Sequence, residues 1–281
     1  MGQVEERASR VGENATGFPA EDYESFHREL SEIRRRIIAS MHGLSEPEAP
    51  GEAERKQRQK ESMPLMPLEP ERLEDPALVG YAREILEIAV RHGVLAPDES
   101  GSLIDALGEL EVGALAVSIA RRETGPLFEA CERTGVASDA LLFVGEHLAR
   151  AILTWHAGPL GDLVDPDLAI RSGSCPVCGN LPRFSCLDAE DAVRTLVCGM
   201  CETSWRYRRI GCPFCGNEDQ KKLRHFTVGK EPGYRVDVCD ECKRYLKQVD
   251  LRKVRDEDAA LADLDIASAR LDLLAWREGY R

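Results

Sequence analysis

The 281-residue chain has no run approaching about 18 consecutive apolar positions, so no membrane-spanning helix and no membrane partner is expected. It also lacks the marks of common catalysts. No Gly-rich phosphate loop, no His-Glu-x-x-His and no Ser-His-Asp order occurs, so the reading is not an enzyme. Residues 1–20 are polar and acidic and have no apolar stretch of the kind an export leader carries. Arg34-Arg35-Arg36 is not a twin-arginine signal either, since no apolar segment follows it. A cytoplasmic protein is expected.

Positive charge is scarce overall and unevenly spread. The chain carries a net −13. Residues 171–255 hold 17 Lys/Arg against 11 Asp/Glu, while the remainder holds 20 against 39. Two four-thiolate sites with divalent ions would each add a formal −2 to the basic stretch. That footprint is too weak for a nucleic-acid binder, and the acidic remainder repels phosphate, so no nucleic-acid partner is expected.

Cysteine is abundant and patterned. Eight of ten cysteines form four Cys-x-x-Cys pairs: Cys175/Cys178, Cys198/Cys201, Cys212/Cys215 and Cys239/Cys242. Two intervening residues let both sulfurs point into one turn, and two such turns give four sulfurs at tetrahedral corners, which suits Zn²⁺ or a single Fe. Disulfides belong to oxidising compartments, whereas repeated pairs of this spacing in a cytosolic chain are a metal pattern. Nineteen residues separate the first two pairs and twenty-three the last two. Either gap accommodates a β-hairpin, so first pairs with second and third with fourth, giving two metal ions per chain. Cys131 reads as a packed core thiol and Cys186 as a strand-face thiol.

The expected fold is α+β: an N-terminal all-α bundle, two tandem rubredoxin- or zinc-ribbon-like β-hairpin modules, and a C-terminal helix. The divisions are a disordered 1–20, a helical domain 21–157, a linker 158–173, ribbons 174–210 and 211–255, and a helix 256–281. Tyr23, Phe26, Leu30, Ile33, Ile37 and Ile38 recur at helical spacing, with Arg34, Arg35 and Arg36 on the solvent side. Residues 46–60 read as loop or loose helix, and Met63 to Leu68, with two prolines, as an extended surface strip that plugs a groove of the bundle. Further helices are expected near 76–92, 98–108, 110–122, 125–134 and 138–156, and strands at 182–187, 192–197, 203–210, 223–228 and 234–238. His147 and His156 read as structural histidines. The final helix should bury Leu261, Leu264, Ile266, Leu271, Leu274 and Trp276.

The run Ser174-Cys175-Pro176-Val177-Cys178-Gly179, followed by Cys198-x-x-Cys201-Glu202-x-x-Trp205, Cys212-x-x-Cys215 and Cys239-x-x-Cys242-x-x-Tyr245-Leu246-Lys247, resembles the FdhE family of formate dehydrogenase accessory proteins. The ending Leu271 to Tyr280 is similar too. The resemblance covers residues 174–280 and all eight knuckle cysteines. It implies a cytoplasmic factor needed for active formate dehydrogenase, docking on the catalytic subunit and carrying rubredoxin-type iron, so iron is favoured over zinc. The competing reading is a zinc-ribbon nucleic-acid-binding or transcription-related protein, on the alternation of Arg206, Arg208 and Arg209 with Trp205 and Tyr207.

Overall fold

The computed structural model describes residues 20–41, 49–66, 76–169, 172–227, 233–254 and 261–281. The reading of 1–19 as disordered and the placement of Pro67, Leu68 and Asp75 lie outside them. Among the described residues the bundle is built from α1 (Ala20–Ser40), α2 (Glu52–Lys60), α3 (Pro76–Arg91), α4 (Pro97–Leu107), α5 (Val112–Arg121), α6 (Gly125–Thr134) and α7 (Ser138–Gly161). α7 is the axis of the bundle, packing against α1, α3, α5 and α6. The helical spacing on α1 delivers Phe26, Leu30, Ile33 and Ile37 to the core, where they meet Leu86 of α3 and Leu141 and Leu148 of α7. Gly145 lets α5 approach α7, because a Cβ there would collide with Ile119 Cδ1.

Three local expectations on this side need correction. α7 does not stop at residue 156 but runs through Pro159 to Gly161. Proline in a helix interior costs about 3 kcal/mol, but Ala157 and Leu160 on that turn are buried in the core and offset it. The anticipated linker therefore begins as helix, and it holds a further short turn, α8 (Pro166–Ala169). Arg34 is not on the solvent face: it is buried, while Arg35 and Arg36 are exposed and pair with Asp263 and Glu84.

The strands are β1 (Pro182–Leu187), β2 (Arg194–Cys198), β3 (Ser204–Arg206), β4 (Leu223–Phe226), β5 (Tyr234–Cys239) and β6 (Arg244–Asp250). They form one sheet in the order β3-β2-β1-β6-β5-β4. Each ribbon follows the same plan: knuckle, strand, strand, knuckle, strand. The halves β3-β2-β1 and β6-β5-β4 are internally antiparallel, and the parallel pair β1/β6 joins them, with Phe184 opposite Lys247. Two separate ribbon domains would leave both β1 and β6 as open edges; joining them satisfies one row of backbone donors and acceptors. Strand β6 went unread in the sequence, and β3 is shorter than the expected 203–210.

The C-terminal helix is broken into α9 (Leu261–Ala267) and α10 (Arg270–Arg277). Lys247 Nζ and Ser268 Oγ both donate to the Asp265 carbonyl, at 3.1 and 3.0 Å, and the Ala269 amide bonds Ile266 instead. Leu264, Ile266, Leu271 and Leu274 are buried as expected, but Trp276 is exposed.

Candidate metal centres

Each knuckle ends in a residue with left-handed backbone: Gly179 (φ 78°), Glu202 (58°), Gly216 (73°) and Lys243 (57°). That twist turns the chain back so that the amide after the second cysteine reaches the carbonyl of the first. Gly179 N meets Cys175 O, Gly216 N meets Cys212 O and Lys243 N meets Cys239 O, each at 2.9 Å. Glycine adopts this conformation freely, whereas Glu202 and Lys243 pay about 1 kcal/mol for it. Lys243 has its partner within the turn, and Glu202 has two on the bundle helices α1 and α7. Lys243 pairs with Asp240 at 2.8 Å, and Glu202 reaches buried Arg34 and Arg150 at 3.8 and 3.9 Å.

The knuckles meet in the expected pairs. Cys175, Cys178, Cys198 and Cys201 form one set and Cys212, Cys215, Cys239 and Cys242 the other, with all sulfurs of a set within 4.8 Å of one another. In the first set Cys175–Cys201 and Cys178–Cys198 are each 3.5 Å apart; in the second Cys212–Cys242 and Cys215–Cys239 are each 3.7 Å apart. A tetrahedron with metal–sulfur bonds of about 2.3 Å has edges of about 3.8 Å. None of the eight is in a disulfide. Both sets thus fit a four-coordinate ion, and each could hold one.

Donors to sulfur complete the fit. The amides of Cys178, Met200 and Cys201 approach Cys175 or Cys198 at 3.4–3.5 Å. Asn180 Nδ2 lies 3.7 Å from Cys178 Sγ, and Asn217 Nδ2 stands in the matching place 3.7 Å from Cys239 Sγ. Hydrogen bonds from the Cys175, Cys198 and Cys201 thiols hold Cys178 well below the ordinary thiol range. Burial, reinforced by its cysteine neighbours, pushes Cys175 well above it. Ion binding takes all four sulfurs as thiolates.

The first set is sunk in the bundle's own core: Cys175, Val177, Cys178, Cys198 and Cys201 are continuous with the buried side chains of α1, α3 and α7. The Met63–Met66 strip, read as a groove plug, covers this site. Leu65 N and Met66 N bond the carbonyls of Pro176 and Val177 at 2.8 Å, and both side chains are buried. Asn180 also bonds Ala120 O and accepts from Arg122 Nε, both at 3.2 Å, and Thr154 Oγ1 reaches Met200 O at 3.4 Å. The second set is more open, with Cys215 exposed and Cys242 half-buried. Its neighbours are Tyr207, which donates to Cys212 O, and the chain end: Tyr280 OH donates to Asp240, and Arg281 N to Lys243 O. Gly173, on the approach to the first knuckle, lies against Pro213 of the third so closely that a Cβ would strike its carbonyl.

Cys186 lies buried on β1 with Phe184, Val197 and Val249, and burial pushes its thiol up to about 12. Cys131 is half-buried against the bundle core. Neither belongs to a sulfur set. His147 is buried beside Phe143 with Nδ1 unpartnered.

A buried ionic cluster escaped the sequence reading. Lys247, 1% exposed, lies 2.6 Å from Asp265 and 2.8 Å from Asp272; Arg183 meets Asp265 at 2.6 Å and Tyr245 donates to Asp272 at 2.9 Å. The signal was present: Tyr245-Leu246-Lys247 and the Asp272-containing ending were among the residues carrying the resemblance. Tyr245 and Lys247 share one face of β6, and the acids that hold them come from α9 and α10.

Fold and site together define a class: a helical bundle fused to tandem four-cysteine ribbons, with both cysteine sets arranged for metal binding. The family model described as FdhE, central domain, matches residues 174–209, and FdhE, C-terminal domain, matches residues 210–281. Residues 174–281, the ribbons and the C-terminal helices, thus match the two FdhE domains in succession. A "Protein FdhE homolog" of Aquifex aeolicus (strain VF5) is 40% identical over 110 residues, 38% of this chain and 38% of the relative. Another, from Stutzerimonas stutzeri (strain A1501), is 35% identical over 38% of this chain and 35% of the relative. "Protein FdhE" of Escherichia coli O1:K1 / APEC is 28% identical over 66% of this chain and 59% of its own length. The chain thus spans less than two thirds of these curated relatives. The crystal structure of the FdhE protein from Pseudomonas aeruginosa superposes with a TM-score of 0.57 at 22% identity, covering 99% of this chain and 92% of that one, and shows the same fold.

Proposed function

We propose that the chain is a metal-binding maturation factor for formate dehydrogenase, acts in the cytoplasm without catalysing a metabolic reaction itself, and docks on the catalytic subunit. The observation that carries this is the gathering of all eight knuckle cysteines, within FdhE-type domains, into two sets of tetrahedral dimensions. In this reading Cys175, Cys178, Cys198 and Cys201 ligate one ion, and Cys212, Cys215, Cys239 and Cys242 a second. Iron is the ion favoured, on the family resemblance and the rubredoxin-like Cys-Pro-x-Cys-Gly turns at Cys175 and Cys212; tetrahedral sulfur alone suits zinc equally well. Iron would supply one-electron chemistry, which zinc lacks. The division of charge between an acidic bundle and a mildly basic ribbon region orients a large client.

The test is a host strain deleted for this protein. Formate dehydrogenase activity should fall and return on complementation, and the client's catalytic subunit should co-purify with the tagged chain. Protein prepared without oxygen should carry two ions and show sulfur-to-iron absorption that bleaches on reduction. Full enzyme activity in the deletion strain overturns the maturation role. Colourless zinc protein that complements overturns only the redox part.

A further inference from the structure

A cavity of about 410 Å³ opens on the sheet beside the second cysteine set, between β2, the Arg209–Phe214 turn and strands β4 to β6. Its lining includes Arg194, Arg209, Arg224, Arg235 and Arg244, and one carboxylate, Asp237. In a chain of net charge −13 this is a local inversion of sign. A concave wall of low polarisability focuses such a field.

The guanidiniums are only partly neutralised. Asp237 is shared by Arg235 at 2.9 Å and Arg194 at 3.5 Å, and also accepts from Gln248 at 3.2 Å. Arg224 pairs at 2.7 Å with Asp240, which is not part of the lining. The Arg244 guanidinium lies over the Phe214 ring, 5.1 Å away, and has no ion-pair partner among the described residues. Arg209 is exposed and has no ion-pair or hydrogen-bond partner among the described residues. Two carboxylates thus answer five guanidiniums. Arg194 is the built element: 5% exposed, it donates through Nη1 to Gly211 O at 3.1 Å and lies over the Tyr207 ring at 5.7 Å. Its Nε is buried without a partner among the described residues. Beside these groups stand Ile210, Phe214 and Leu223, an apolar wall.

We propose that this cavity binds a small organic oxyanion, a phosphate or carboxylate group carried on a compact apolar body. Its volume falls within the range of small-molecule sites, about 300–1,000 Å³. Guanidinium forks match both phosphate and carboxylate oxygens in two-point contact. A polyanion is disfavoured, because the acidic remainder of the chain repels whatever extends beyond the cavity, whereas a small anion meets only the arginines. The site is independent of the maturation role and of which ion the cysteines hold.

The test is isothermal titration of the full-length, metal-loaded protein at 150 mM salt with phenyl phosphate as probe, sulfate as the oxyanion without a body, and a hexaglutamate peptide as the polyanion. Phenyl phosphate should bind one per chain, at least tenfold tighter than sulfate and than hexaglutamate. Arg209→Gln and Arg244→Gln should each weaken it about tenfold with metal content unchanged. Arg206→Gln, an exposed β3 arginine outside the cavity, should leave it alone. Absence of saturable binding, equal weakening by Arg206→Gln, or tighter binding of hexaglutamate would each overturn the proposal, the last in favour of a protein-borne acidic segment.

Discussion

Cys175, Cys178, Cys198 and Cys201 are at most 4% exposed and share a core with the helical bundle, whereas Cys215 of the second set is exposed and Cys242 half-buried. The two ribbons follow one strand plan, so the difference does not arise in the knuckles. It comes from what surrounds them. The first ribbon receives the Leu65–Met66 strip, Asn180's bonds to α5, Thr154 of α7 and the Glu202 link to Arg34 and Arg150. The second is braced by its own strands, by α10 and by Tyr280 and Arg281. One site is therefore part of the foundation of the molecule, and the other stands at its surface, next to a basic cavity.

That comparison breaks most visibly at the cysteines. Cys178→Ser should remove one ion and take the helical bundle with it, because site and bundle share one core; the loss is on the order of 10 kcal/mol, typical of a structural metal site. Cys215→Ser should also remove one ion but leave the helical circular dichroism and its melting largely intact. Metal analysis beside thermal melts of both variants measures this. Equal loss of helix in the two would mean that the sites are structurally equivalent after all.

A second test asks whether the second ribbon depends on the C-terminal helices in place of the bundle. Lys247→Met fills similar volume but leaves Asp265 without one of its two cationic partners and Asp272 without its Lys247 ion pair. Removing one member of a buried ionic set costs about 3–5 kcal/mol. Denaturant melts should show that loss, and Asp272→Asn added to Lys247→Met should recover part of it. The second ion should become more easily stripped by chelator while the first is retained. Loss of the first ion ahead of the second would reverse the assignment of supports.

Acid offers a smaller perturbation of the same contrast, confined to the bundle side. Burial, with Arg150 and Arg34 nearby, pushes His147 well below its ordinary value, and burial with Arg183 brings His27 to about 3. Folded-state values below the unfolded one mean that the neutral rings stabilise the fold above pH 6.5, and that this contribution is lost as pH falls from about 6.5 towards 3. A step from pH 7 to pH 5 should cost about 1–2 kcal/mol for a fully buried histidine and less for half-buried His27. Urea melts followed by helical dichroism measure it. His147→Phe, which keeps the ring contact with Phe143, should flatten the dependence; an unchanged slope would remove His147 from the account.

The parts legible in the sequence were those fixed by local spacing. Cys-x-x-Cys pairs and the hairpin lengths between them select their own partners, and the three- and four-residue steps of α1 select its buried face. What escaped depended on residues far apart in the chain. β6 reads Arg244-Tyr-Leu-Lys-Gln-Val-Asp250, which looks half-exposed because its lysine and tyrosine face acids 18 to 27 residues downstream. Arg34 looked solvated because its acidic partner, Glu202, lies 168 positions away. The same distance hid the fusion of the ribbons: parallel pairing of β1 with β6 leaves no local mark.

The finest test separates the eight grouped cysteines from the two that stand apart. Cys186 sits on β1 between the ribbons' shared strands, close enough in sequence to the first set to be mistaken for a ligand. Its neighbours are Phe184, Val197, Val249 and Leu264, an apolar pocket with nothing to stabilise a thiolate, and its thiol is pushed up to about 12 by burial alone. Cys186→Ala should therefore act as a small core deletion, costing about 1 kcal/mol in a denaturant melt, with metal content unchanged. At pH 8 the thiol should stay unreactive towards alkylating reagents in the folded protein, because the thiolate is the nucleophile and is almost absent there. Loss of an ion in Cys186→Ala would show that this strand-face sulfur supports the first site, and would erase the line between packing thiols and grouped ones.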